Sequence, residues 1–94
     1  NTDDNGVKHV ARLRLARVLW SQDQAEQALT LLSSADPDVF AASYEELRGD
    51  ISVSLGKNNE ARDAYIIALA SPDSSGDRSM LQMKIDDLGP LDGQ

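Results

Sequence analysis

The sequence contains no cysteine, which removes disulfides, thiolate nucleophiles and cysteine-ligated zinc together and leaves the redox compartment open. Histidine is nearly absent as well: His9 stands alone, so no imidazole pair is available for a metal site. No run of about 18 apolar residues occurs and no export leader opens the chain, so this piece is expected neither to span a membrane nor to carry its own signal. It begins at Asn1 without an initiator methionine, and is read as an excised domain or a processed product. Bases are the scarce charge, nine against sixteen acids, and a net charge of -7 argues against nucleic acid and anionic lipid as partners. Aromatic residues make up only 4% of the chain, which leaves Trp20 as its one tryptophan. No stretch shows the two-residue alternation of a strand.

What is present is helical patterning over one small domain's length, with 40% hydrophobic residues. Five helical segments are expected, at about 7–21, 25–35, 37–55, 58–70 and 77–88. Residues 1–6 are expected to be a disordered remnant and 89–94 a flexible tail. Asp36 and Pro37 punctuate the start of the third segment, and Gly56 suits its C-terminal cap. Charge is unevenly spread. Asp3, Asp4, Asp23 and Glu26 balance Lys8, Arg12, Arg14 and Arg17, so the whole net charge falls in residues 36–94.

Landmarks recur at one offset of 33 residues: Ala16 with Gly49, Ala28 with Ala61, Leu32 with Tyr65, and Ala35 with Ala68. The helix breaks at Asp23 and Gly56 fall in step with them. The unit is a helix hairpin used twice, about 7–35 and 37–71, followed by a capping helix at about 77–88. A glycine at position 49, inside an apolar stripe of Leu47, Ile51 and Leu55, costs a helix roughly 1 kcal/mol relative to alanine. Close backbone packing is what offsets such a loss.

The second unit, from Gly49 through Gly56, Ala61, Tyr65 and Ala68 to Pro72, resembles a tetratricopeptide repeat. The resemblance implies an all-α, right-handed solenoid of hairpins, in which Gly49 faces Ala61 as Ala16 faces Ala28. It also implies a concave binding face built from the first helix of each pair. Carried over by position, that face presents Leu13, Arg17, Trp20 and Ser21, then Glu46, Asp50, Val53 and Ser54. Arg17 is expected to pair with Asp50 across it, with Glu46 near enough to share the arginine. Trp20 is the natural interface anchor, and its competing reading is core filling between repeats. Arg48, replacing a large apolar residue, either reaches solvent or meets an acid. The basic clamp of repeats that grip a C-terminal carboxylate is not recognisable, since Glu46 and Asp50 stand where it needs lysine and asparagine.

Constellations for chemistry come up short, and no cofactor is expected. His9 is expected to be solvent-exposed and inert. The segment Asp73 to Asp77 only glances at a calcium loop, because Arg78 and Lys84 stand where that pattern needs glycine and glutamate. The pairs Glu45 with Glu46 and Asp86 with Asp87 are adjacent in helices and point to different faces, which makes them poor acid-base pairs.

More narrowly, the span from Ala11 to Leu88 resembles the C-terminal repeat domain of the YfgM-type family, ancillary subunits of the bacterial Sec translocon. The residues that carry this are A-R-L-R-L-A-R at 11–17, A-L-T-L-L at 28–32, Phe40 with Y-E-E-L-R-G-D at 44–50, E-A-R-D-A-Y at 60–65 and L-Q-M-K-I-D-D-L at 81–88. The resemblance implies the periplasmic part of a protein anchored in the inner membrane by an N-terminal helix outside this chain. The partners it implies are a membrane-bound PpiD-type prolyl isomerase, the SecYEG translocon and unfolded secretory polypeptides, in a holdase-like role without catalysis. The open N-terminal face is expected to favour self-association. A tetratricopeptide scaffold or co-chaperone in the cytosol or in outer-membrane assembly is the alternative. An enzymatic role stands only if a groove carboxylate proves strongly perturbed.

Overall fold

The structure, a computed structural model, describes residues 2–71 and 78–89, with side chains outside 2–5 and 38. Its elements are α1 (Thr2–Ser21), α2 (Ala25–Ser33), a 3-10 turn (Asp38–Phe40), α3 (Ala41–Ser54), α4 (Asn58–Ala70) and α5 (Arg78–Asp87). The architecture is all-α: α1 packs on α2 and α3 on α4 as two hairpins, and α5 lies on α4.

Both hairpins turn by the same device. Asp23 and Gly56, 33 residues apart, take positive φ angles of 66° and 77°. The amide of Gln24 donates to the Leu19 carbonyl at 2.8 Å and that of Asp23 to Trp20 at 3.1 Å. At the second turn Lys57 donates to Ser52 at 2.9 Å and Gly56 to Val53 at 3.0 Å. These are the paired bonds of a Schellman cap, which satisfies the last carbonyls of a helix only when one residue adopts the left-handed conformation. Glycine does so freely, whereas aspartate does so at a cost.

Three boundaries differ from expectation. α1 begins at Thr2 and takes in the segment expected to be disordered, because Gly6 lowers helix propensity without terminating a helix that is continued on both sides. α2 stops at Ser33, so Ala35 lies beyond it while its counterpart Ala68 is fully buried inside α4. There the Ser34 hydroxyl donates to the Leu31 carbonyl at 2.6 Å, the local bonding by which serine ends helices. The first turn of the third segment is 3-10, closed by the Phe40 amide on the Pro37 carbonyl at 2.8 Å. The calcium-loop segment at 73–77 lies outside the described residues, as do the end of the expected tail and Pro72. No described helix is long and apolar enough to cross a membrane.

Two core clusters follow from the repeat. The first joins Leu13, Ala16, Ala28 and Leu32 of the first hairpin to Tyr44, Leu47 and Ile51 of α3. The second joins Ala42, Ala61, Tyr65 and Ala68 to Leu81, with Ile85 of α5 and Leu88 just beyond that helix against it. Each end of α5 is tied to α4: Arg78 donates to the Leu69 carbonyl at 2.7 Å, and Arg62 donates to the Gly89 carbonyl.

Gly49 is buried where the helices of the second hairpin meet, and the atoms nearest to the place its Cβ would take belong to Tyr65. A Cβ at position 49 would sit on the Tyr65 ring, 2.6 Å from Cδ1 and 2.8 Å from Cζ. Glycine at 49 therefore makes room for an aromatic ring, whereas at 16 the alanine suffices because position 32 holds leucine.

Candidate partner-binding face

The face expected from the first helix of each hairpin is assembled only in part. Trp20, near the C-terminus of α1, is half-buried against the first cluster, and its Nε1 donates to Ser54 Oγ at 3.0 Å. Ser54 in turn donates to the Ile51 carbonyl at 2.6 Å. Trp20 thus joins the two readings: its ring closes the seam between α1 and α3 and still reaches the surface. Val53 is exposed next to Ser54 in sequence, and Ser21 is exposed with its hydroxyl donated to the Val18 carbonyl at 2.7 Å.

Leu13 does not present itself on this face. It is 7% exposed, lying on the same α1 stripe as Ala16 and packed in the first cluster with Tyr44, Leu47 and Ile51. Arg17 does not pair with Asp50 either, and among the described residues it makes no ion pair and is exposed. The cation that meets both acids is Lys84 of α5, at 2.7 Å from Glu46 Oε2 and 3.0 Å from Asp50 Oδ1. Tyr65 Oη donates to the same Asp50 oxygen at 2.5 Å, and Lys84 Nζ stands 5.7 Å from the Tyr65 ring centroid. A lysine delivered by α5 reaches these acids because that helix is clamped at both ends to α4.

The electrostatics are those of a closed knot. Burial pulls the Lys84 ammonium toward deprotonation, but its hydrogen bonds and attraction to Glu46 and Asp50 outweigh this and raise its pKa above 10.5. The Tyr65 phenol is pushed up well beyond its usual range, first by burial, then by its hydrogen bond to Asp50 and the negative charges of Asp50 and Glu46. The raised pKa accords with the hydrogen bond that the phenol donates to Asp50.

A second constellation escaped the sequence reading. Tyr44 is fully buried, with its Oη 2.7 Å from His9 Nδ1 and 2.9 Å from Arg12 Nη1, which donates to it. All three are satisfied when Tyr44 donates to His9 and accepts from Arg12. His9 is thus not solvent-exposed but half-buried, its ring 4.8 Å from that of Phe40, because α1 continues far enough to carry it over α3. Arg48 meets an acid, Glu45 at 3.3 Å, and also donates to Ser33 Oγ at 2.8 Å. Among the described residues no group of three His, Asp or Glu side chains is placed to hold a metal.

Two hairpins turning through equivalent caps, with small residues where their helices cross, match the family described as "Tetratricopeptide repeat-like domain" over residues 1–90. The chain belongs to that family. This tetratricopeptide repeat-like domain is similar to the "Ancillary SecYEG translocon subunit" of Escherichia coli (strain K12), 36% identical over 88 residues that make up 94% of this chain and 43% of that protein. It is also similar to the protein of that name from Neisseria gonorrhoeae (strain ATCC 700825 / FA 1090), 35% identical over 89 residues, again 94% of this chain and 43% of the relative. The domain therefore spans under half the length of the curated relatives it matches. No solved structure matches it.

Proposed function

We propose that this domain is a non-catalytic protein-interaction module of a Sec-associated protein, working on the periplasmic side of the bacterial inner membrane. Its partners in this reading are the SecYEG translocon and a PpiD-type prolyl isomerase, and its role is to assist secretory polypeptides as they fold. The observation that carries the reading is the similarity, across 94% of the chain, to a protein named as an ancillary SecYEG translocon subunit. The geometry supports a binding role because Trp20 and Ser54 meet at the seam of the two repeats, with the exposed Val53 next to Ser54 in sequence. An aromatic ring held by packing and one hydrogen bond offers a partner contact area with little further loss of side-chain freedom. The acids Glu46 and Asp50 belong to the same face and share the single cation Lys84, which holds both carboxylates in place and offsets part of their charge, so the apolar rim contributes more to binding than the charges do.

The sole tryptophan makes the test direct. Its fluorescence is recorded while the periplasmic part of a PpiD-type isomerase, and separately an unfolded secretory polypeptide, is titrated in. Trp20→Phe is followed by calorimetry in parallel. A saturable shift with weaker binding by the variant is the expected result. Neither shift nor heat with any of these partners would refute the assignment of the binding face.

A further inference from the structure

The 33-residue offset identifies a face of α1 that the two hairpins leave uncovered. Tyr44, Leu47 and Ile51 of α3 are the residues buried against the first hairpin, and their counterparts on α1 are Ala11, Arg14 and Val18. All three are exposed, along with Val7, Val10 and Leu15, which are 66%, 43% and 49% exposed. From Val7 to Ser21 this helix carries Lys8, Arg12, Arg14 and Arg17 and no acid, in a chain whose net charge is -7. A shallow hollow lined by Lys8, Ala11, Arg12, Leu15 and Leu31 opens on the same side. The face is apolar and basic together.

A complementary face exists on the same chain. The outer side of α4 exposes Ile66 and Ile67, 48% and 51% exposed, beside the exposed acids Glu60 and Asp63. We propose that the α1 face of one copy docks on the α4 face of a second copy, a head-to-tail association of tetratricopeptide repeat-like domains. Pairing α1 with α1 would oppose Lys8, Arg14 and Arg17 to their own copies, whereas pairing α1 with α4 sets bases against acids and valines and leucine against isoleucines. The two surfaces differ, so the contact is heterologous and leaves a free α1 and a free α4 at the ends of each dimer. The α1 stripe from Val7 to Val18 is about 17 Å long, so the interface falls at the small, transient end of the range.

Sedimentation equilibrium of the 94-residue chain, run from about 10 to 1,000 μM, reads this directly. At low salt the mass is expected to rise above the 10.2 kDa monomer with concentration, and in about 0.5 M salt, where screening shortens to a few ångströms, to fall back toward it. Arg14→Glu and Asp63→Arg each weaken association at least tenfold. Both positions are exposed, and unchanged circular dichroism melts establish that the variants fold. The double variant restores association, because the charges are exchanged. An α1-to-α1 contact would leave Asp63→Arg without effect, and that result overturns the proposal. So does a chain that stays monomeric at 1,000 μM in low salt, including one that binds anionic vesicles through α1 instead.

Discussion

Replacing Gly49 by alanine sets two opposed effects against each other, and the structure says which wins. Alanine in a helix interior is worth about 1 kcal/mol over glycine. Its Cβ, however, would lie under 3 Å from three atoms of the Tyr65 ring, which is 2% exposed and has no open side to move into. Overpacking of this kind costs about 1–3 kcal/mol. Moving the ring also gives up the hydrogen bond from Tyr65 to the Asp50 carboxylate, about 1.5–3 kcal/mol for a bond to a charged group. The net is a loss of about 1.5–5 kcal/mol out of a total stability of about 5–15 kcal/mol, which lowers the melting temperature of a domain this size by roughly 6–40 °C. Thermal and urea unfolding followed by circular dichroism measure it, in the wild-type and Tyr65→Ala backgrounds. In the second background the ring is gone and Gly49→Ala should be neutral or stabilising, which gives a coupling of about 3 kcal/mol. An alanine at 49 tolerated in the wild type, or equally damaging in both backgrounds, would show that the ring is not what requires glycine.

Lys84→Met leaves Glu46 and Asp50 without their cation and is expected to destabilise by about 1–3 kcal/mol, between the values of exposed and buried pairs, as read by urea unfolding at neutral pH. The Lys84 and Tyr65 pKa values are both raised in the fold, so their contribution is fully present below about pH 10, the lower of the two unfolded values, and is lost as pH climbs through the folded ones. Melting temperature should therefore fall above pH 10, and less steeply in Lys84→Met. Asp23→Gly relieves an aspartate held at φ 66° and should stabilise by about 0.5–1 kcal/mol, whereas Gly56→Ala at the equivalent turn should cost about 1 kcal/mol; differential scanning calorimetry ranks the two. Tyr44→Phe removes the partner of both His9 and Arg12 and is expected to cost about 1–2 kcal/mol, measured by urea unfolding.

The repeat was legible because its causes are local. A left-handed turn residue at 23 and 56, and small residues at 16, 28, 49 and 61, are demands that single positions make on the chain, and they show at one offset. The full extent of α4 was legible for the same reason, with Gly56 behind it and an alanine stripe along it. What each small residue makes room for was not legible. Tyr65 lies sixteen residues from Gly49, and nothing in the pattern distinguishes a ring laid on the glycine from an alanine set against it.

Lys84 shows the same boundary between local and tertiary information. It sat within the stretch M-K-I-D-D-L, yet spacing along α5 does not say which acids on α3 its amine will reach, and Arg17 looked the better partner by register alone. Apolar spacing starts the first helix later than Thr2, which sets the His9 ring at a fraying end instead of over Phe40 and Tyr44. Repeat position alone sends Leu13 to the groove, but its side chain lies in the core that α1 shares with α3.

Nitrogen-15 labelling of the domain and titration with the periplasmic part of a PpiD-type isomerase tests the interaction reading most directly, since each amide and the Trp20 indole report separately. The indole resonance and the amides of Ser21, Val53 and Ser54 are expected to shift together and saturate, while those of α4's outer face stay in place. Saturating shifts that gather elsewhere and leave the Trp20 indole unmoved would contradict it.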